Sequence, residues 1–261
     1  MIVVDAGNTR LKFAWMELPQ AGGVPKSLGF VAIPVGQPLP VETLDNWIRE
    51  GQPTRIVVDG SNPPEVERVL REWPQAGVRP ARLPDRKRLP LVIDVEQPEK
   101  VGIDRLLNAM AANARRQRGQ WAIVVDSGTA TTVDLVDGAG VFRGGAILPG
   151  FEMGAKALNQ YTALLPLIPH HRLHDRIPPS IGRNTQAALE SGLYWGHVGA
   201  VRQLIESILK ESPPPLRGRD PLVLLTGGAA PVLRPHLPEA EWEPALCLQG
   251  LVIAASAMQG P

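Results

Sequence analysis

Ile2-Val3-Val4-Asp5-Ala6-Gly7 and Ile123-Val124-Val125-Asp126-Ser127-Gly128 agree at every position but the fifth. Each begins as a continuous apolar, β-branched run, the pattern of a strand buried on both faces. Each then breaks on an acid and a glycine, and Thr-bearing turn residues lead into a second apolar run, Leu11–Met16 and Thr131–Val136. Apolar strands often look alike by chance; the shared Asp-x-Gly is what makes the pair informative. Two such units, roughly 120 residues apart, predict a duplicated domain with both acidic turns facing one central cleft.

Working outward, short strands are expected at Leu28–Ile33, Arg55–Val58, Val141–Leu148 and Leu222–Leu225. Helices are expected at Val41–Glu50, Pro64–Trp73, Gly102–Gln117, Gly150–Tyr161, Asn184–Lys210 and Gln249–Met258. Of these, Gly102–Gln117 follows the helical template best, with Ile103, Leu106, Leu107, Met110, Ala111 and Ala114 on one face. Pro19–Pro25, Pro74–Pro90 and Pro213–Pro221 read as turns or loops. The fold class is α/β, divided into an N-terminal domain over 1–118 and a C-terminal domain over 119–261.

Composition narrows the function classes. Lys and Arg number 27 against 26 Asp and Glu, so the formal charge of +1 gives no footprint for nucleic acid or a membrane surface. No apolar run reaches the ~18 residues of a membrane span. The opening MIVVDAGNT lacks the basic lead and cleavage site of a secretory leader, so a cytoplasmic protein is expected. A single cysteine, Cys247, excludes an intramolecular disulfide framework and any multi-cysteine metal site, and reads as a small buried hydrophobe.

A carboxylate at the mouth of a buried strand, followed by glycine and threonine, suits a metal–phosphate site. The acid can hold Mg²⁺ directly or through water, while turn amides and hydroxyls donate to phosphate oxygens. A plain Asp-x-Gly turn is the bland alternative for either copy alone. A third glycine-rich turn, Thr226-Gly227-Gly228-Ala229-Ala230, follows the strand at 222–225 and favours nucleotide binding. Neither a Walker A loop nor a G-x-G-x-x-G occurs.

Asp104 and Arg105 open the Gly102–Gln117 helix, where the dipole favours an anion and would keep a carboxylate ionised. Such an Asp can take a proton from a hydroxyl while the Arg holds an anionic group; a helix-capping Asp beside a solvated Arg is the alternative. Gly144-Gly145 fits either a close approach of strand ends or a tight turn. Thr185 either caps the long helix or faces the cleft. Gly192, Gly196 and Gly199 read as a close-packing helix face. His170-His171-Arg172-Leu173-His174 reads as a polar loop rather than a metal site, since no helix fixes its geometry.

Together these segments resemble the type III pantothenate kinases. The resemblance rests on Asp5-Ala6-Gly7-Asn8-Thr9 with Lys12, Val101-Gly102-Ile103-Asp104-Arg105, and Val125-Asp126-Ser127-Gly128-Thr129-Ala130-Thr131-Thr132. It continues through Gly144-Gly145-Ala146-Ile147-Leu148-Pro149-Gly150, Ile181-Gly182-Arg183-Asn184-Thr185 and Thr226-Gly227-Gly228, in the family's order over nearly the whole chain. It implies an actin-like ATPase fold of two ribonuclease H-like domains around a cleft, in a homodimer that phosphorylates pantothenate with ATP at the first step of coenzyme A synthesis. Asp5, Ala6, Gly7, Asn8, Thr9, Arg10, Leu11 and Lys12 would form the phosphate segment of the ATP site, with Asp5 on Mg²⁺ and Thr129 also contacting ATP. Asp126 would hold a monovalent cation, potassium or ammonium. Gly102, Ile103, Asp104, Arg105 and Thr185 would bind pantothenate, with Asp104 as general base on its primary hydroxyl.

The chain departs from the family's pattern at three places. A Tyr common before the Gly-x-Asp-Arg element is replaced by the apolar Leu91–Pro98 stretch. Ser127 stands where relatives often carry Phe or Ala, and Thr162–Pro179 is rich in His and Pro. Two rival readings use the same scaffold: a non-catalytic regulator such as a transcriptional accessory factor, and an ATPase or phosphohydrolase with water as acceptor.

Overall fold

The structure, a computed structural model, describes residues 1–18, 23–74, 78–83, 86–211 and 220–258, the side chain of His170 apart. Parts of the turns expected at 19–25, 74–90 and 213–221 lie outside the described residues. In chain order the elements are β1 (Ile2–Ala6), β2 (Arg10–Glu17), β3 (Lys26–Pro34), α1 (Val41–Gly51), β4 (Ile56–Asp59), α2 (Pro63–Glu72), β5 (Pro80–Arg82) and α3 (Ile103–Arg115). They continue with β6 (Ala122–Ser127), β7 (Ala130–Val136), β8 (Phe142–Pro149), α4 (Phe151–Gln160), α5 (His170–His174), α6 (Thr185–Glu211), β9 (Leu222–Thr226), α7 (Ala230–Leu233), β10 (Ala240–Trp242) and α8 (Leu246–Ala257).

The strands form two five-stranded sheets of the same order, β3-β2-β1-β4-β5 and β8-β7-β6-β9-β10. In the first, β1 runs antiparallel to β2 and parallel to β4. In the second, β6 runs antiparallel to β7 and parallel to β9. This repeated hairpin-plus-parallel arrangement is the duplicated ribonuclease H-like architecture, and the two IVVD strands are the centres of the two sheets. Each centre is buried on both faces, as its continuous apolar run requires.

The chain divides into two compact units: residues 1–116 with 140–142 and 245–261, and residues 117–139 with 143–244. A cut at 118/119 puts α8 in the second half, whereas its packing puts it in the first. α8 is buried nearly all round, as a helix apolar on most of its faces must be. It lies so close to α3 that a Cβ on Gly250 would come within 1.9 Å of the Leu107 carbonyl oxygen. Periodicity reports that a helix is buried, not which sheet it covers.

Two three-residue edge strands, β5 and β10, escape the sequence reading. Both are too short to alternate and exist through parallel pairing to β4 and β9. Residues 170–174 are helical rather than a loop, anchored by the buried Leu173. Gly192, Gly196 and Gly199 make no close contact among the described residues, where a Cβ at any of them meets nothing within 4 Å. Gly145 does: its Cβ would lie 2.0 Å from the Val133 carbonyl oxygen, so this glycine lets β8 approach β7.

Candidate functional site

In the first unit, chemistry gathers at the carboxyl end of β1. Asp5 is paired in register with Lys12 on β2 and with Asp59 on β4, so the three side chains leave the same face of the sheet. Asp5 is only 4 % exposed, and Lys12 Nζ reaches its Oδ2 at 3.1 Å. Asp59 is buried too, accepts a hydrogen bond from the Gly60 amide at 2.8 Å and faces Arg82 at 3.9 Å. Burial pushes the Asp59 carboxyl up, against the pull of the Gly60 amide and the Arg82 and Arg86 charges, and Asp5 adds to the rise.

Sequence reasoning missed Asp59. The signal was present: Ile56-Val57-Val58-Asp59-Gly60 is a third copy of the same strand ending. The loop after it also shapes the first acidic turn. Gly60 lies against Ala6, where a Cβ would be 2.2 Å from the carbonyl oxygen, and the Asn62 amide donates to that oxygen at 3.0 Å. The turn itself is closed by the Gly7 amide on the Arg10 carbonyl at 3.1 Å, with Asn8, Thr9 and Arg10 exposed at its tip.

Asp104 belongs to the same unit. Gly102, not the acid, is the N-cap of α3, and Asp104 sits in the first turn, where its Oδ1 accepts from the Arg105 amide at 2.9 Å. A Cβ on Gly102 would fall 2.5 Å from that oxygen, so the glycine makes room for the carboxylate. The dipole argument gives the wrong sign of the net effect. Burial pushes the Asp104 carboxyl up, and the negative charge of Asp5 pushes it further, against the pull of the Arg105 amide and of the Arg105 and Lys12 charges. The guanidinium of Arg105 lies 5.6 Å from the Phe142 ring centre. The stretch after Leu91, which lacks the family's Tyr, pairs with the backbone of that same Phe142 through Val92 and Asp94.

In the second unit the equivalent positions carry a different set. Asp126 is in register with Thr132 on β7 and Thr226 on β9, so hydroxyls stand where the first unit has Lys12 and Asp59. Gly227, at φ +93°, lies under the Asp126 carboxylate: a Cβ there would be 2.6 Å from its Oδ1. Thr129 is exposed at the hairpin tip, with its carbonyl accepting from the Gly150 amide at 3.2 Å.

Thr185 is the first residue of α6 rather than its cap. The cap is Asn184, whose Oδ1 accepts from the Ala187 amide at 2.8 Å. Sequence cannot choose between two adjacent capping residues. Thr185 is exposed and lines an open groove of about 560 Å³ together with Leu165, Gly182, Arg183 and Leu189. The His- and Pro-rich segment forms part of this wall. It is tied to α6 by Arg172 and Arg176 on the buried Glu190, at 3.1 and 3.0 Å, and by Trp195 Nε1 donating to the Pro178 carbonyl at 2.9 Å.

The donor sets suit two kinds of cation. Asp5 and Asp59 fit Mg²⁺, which is commonly held by one or two carboxylates plus phosphate oxygens and water; among the described residues no cluster of three or more His, Cys, Asp or Glu side chains offers a full protein cage. Asp126 fits a weakly held monovalent cation, because Thr132 Oγ1 beside it is buried without a hydrogen-bond partner.

The Type III pantothenate kinase family model matches residues 1–207. The chain belongs to this family. A type III pantothenate kinase of Gluconobacter oxydans is 36 % identical over 276 residues, covering 100 % of this chain and 94 % of that protein. The family's enzyme in Paramagnetospirillum magneticum is 44 % identical over 144 residues, covering 55 % and 51 %. Among solved structures, a conserved Baf family protein of Campylobacter jejuni, named for transcriptional activation, superposes with a TM-score of 0.55 at 17 % identity over 98 % of each chain. The activator of 2-hydroxyisocaproyl-CoA dehydratase from Clostridium difficile, with ADPNP bound, gives 0.51 at 11 % identity over 99 % and 96 %. At those identities the likeness is one of fold. No helix among the described residues is long and apolar enough to cross a membrane.

Proposed function

We infer that this chain is an ATP-dependent pantothenate kinase that makes 4′-phosphopantothenate, the first step of coenzyme A synthesis. The observation that carries the reading is the family match together with a buried Asp104 set within the electrostatic reach of Asp5 and Lys12. A regulator that had lost catalysis would have no use for buried carboxylates that repel one another.

In this reading the turn Asp5–Lys12 and Thr129 bind the phosphates of ATP through amides and hydroxyls, and Lys12 adds a positive charge. Asp5, with Asp59 beside it, would hold Mg²⁺, and Asp126 with Thr132 would hold potassium or ammonium. When bound, these cations supply counter-charge to the phosphates, the main requirement of phosphoryl transfer. Gly102, Ile103, Arg105 and Thr185 bind pantothenate, with Arg105 placed to pair with its carboxylate. Asp104 accepts the proton of the primary hydroxyl as that oxygen bonds to the γ-phosphorus. The bond from the γ-phosphorus to the bridging oxygen breaks, and ADP leaves. A raised pKa makes Asp104 a stronger base than an ordinary aspartate.

The test is ADP release from Mg-ATP with and without pantothenate, in sodium and then in potassium or ammonium buffer. Release is expected only with pantothenate and one of the latter two cations. Release without pantothenate favours the hydrolase, and nucleotide binding with no turnover under any condition favours the regulator.

We place the enzyme in the cytoplasm as a homodimer. Tyr161, Leu164 and Ile181 support the second point: these large apolar side chains of the second unit are 79 % or more exposed in the single chain. Light scattering is expected to give about twice the 28.2 kDa chain mass; the chain mass alone would remove the dimer.

A further inference from the structure

Ser127 and Thr131 are the last paired residues of the β6–β7 hairpin and enclose the tip Gly128-Thr129-Ala130. Their side chains point to the α6 face of the sheet, opposite to Asp126 and Thr132. Ser127 Oγ lies 3.3 Å from Thr131 Oγ1, which lies 3.1 Å from Nε2 of His197 on α6. All three residues are buried: Ser127 and Thr131 are fully covered and His197 is 8 % exposed. The imidazole also lies against Phe151, ring centres 4.2 Å apart and planes tilted by 46°. Burial lowers the His197 pKa to about 4, so the ring is neutral at physiological pH.

Around this chain of polar atoms the core is apolar, with Val125, Val133, Val198 and Val201 packed nearby. Polar groups in such a place recover from each other only what desolvation removes, and an apolar pair of the same shape would serve stability as well. What hydrogen bonds add is direction. They fix the height and rotation of the hairpin's last pair, and hence of the Thr129 tip. The Ser127 carbonyl extends the effect, accepting from the Ala229 amide at 2.8 Å and so fixing the Thr226–Ala230 turn.

We propose that His197 is a positioning residue that latches the nucleotide turn 127–131 to helix α6 through Thr131 and Ser127. This gives the unusual Ser127 a role, and it rests on the reading that the turn binds ATP.

The experiment compares wild type, His197→Leu, Ser127→Ala and His197→Gln by KM for ATP and for pantothenate, and by calorimetric affinity for a non-hydrolysable ATP analogue. His197→Leu and Ser127→Ala are expected to weaken ATP and the analogue ~5–10-fold, the scale of one directional hydrogen bond. Pantothenate KM should stay within about 2-fold, because the groove at Thr185 is not touched. His197→Gln, whose side-chain amide can reach Thr131, should recover most of the loss, which a role confined to packing would not produce. Folded variants with unchanged nucleotide affinity, or with ATP and pantothenate weakened equally, overturn the latch. If His197→Leu does not fold, Ser127→Ala decides by the same criterion. Wild type that binds the analogue but fails to phosphorylate pantothenate sinks the kinase reading, while the analogue affinities still decide the latch. Wild type that binds no nucleotide sinks both.

Discussion

Asp104→Asn is expected to lower pantothenate-dependent turnover by ~10²–10⁴-fold, the range for removing a positioned general base. The amide keeps the shape of the carboxylate, and its oxygen can still accept from the Arg105 amide as Asp104 Oδ1 does. What is lost is the negative charge, and with it the ability to take a proton. The variant should therefore melt no lower than wild type. Losing a buried negative charge that repels Asp5 relieves a cost in the folded state rather than adding one. Both KM values should change far less than kcat, because the base acts in the transition state. The wild-type pH profile provides a second check. Burial raises the Asp104 pKa, so activity should fall with acid along a limb displaced above the usual aspartate range of about 4. A folded Asn variant within about 10-fold of wild-type turnover would remove Asp104 from the base role.

The large effect expected at Asp104 rests on features that sequence displayed unevenly. Gly102-Ile103-Asp104-Arg105 marks the start of α3, and the helical spacing behind it is clear. What the spacing cannot show is the distant charge that sets the acid's pKa: Asp5 is 99 positions away, on another element. Asp59 is hidden for a related reason. Its strand ending is plain, but its partnership with Asp5 is created by parallel pairing of β1 and β4, a contact between segments with no turn to announce it. Hairpin partners such as Lys12 and Thr131 were easier, because a short turn fixes their register. His197 is harder still. A single histidine in mid-helix has no pattern, and its partner Thr131 is 66 residues away. The placement of α8 on α3 is likewise a matter of packing, seen at Gly250 and invisible in hydrophobic periodicity.

His197 also leads to an expected acid instability. Its pKa is about 4 in the folded chain against 6.5 for the free side chain, because burial disfavours the charged ring. Between those values the unfolded chain binds a proton that the folded chain does not, so stability rises with pH across the interval. Falling pH therefore removes stability from about 6.5 down to about 4, by ~3 kcal/mol in all. Other groups titrate there, and not in the same sense. His236 also has its pKa lowered by burial and adds to the loss, while Asp59 and Asp104, with raised values, oppose it. The measurement is thus a difference: urea midpoints of wild type and His197→Gln at several pH values between 4 and 7. With no titrating ring at position 197, the variant should lose about 3 kcal/mol less than wild type over the same interval. Parallel curves would mean that His197 can be protonated in the folded protein at little cost. That would contradict its enclosure between Phe151 and Thr131, since a charged ring there has no carboxylate among its observed hydrogen-bond partners to offset desolvation.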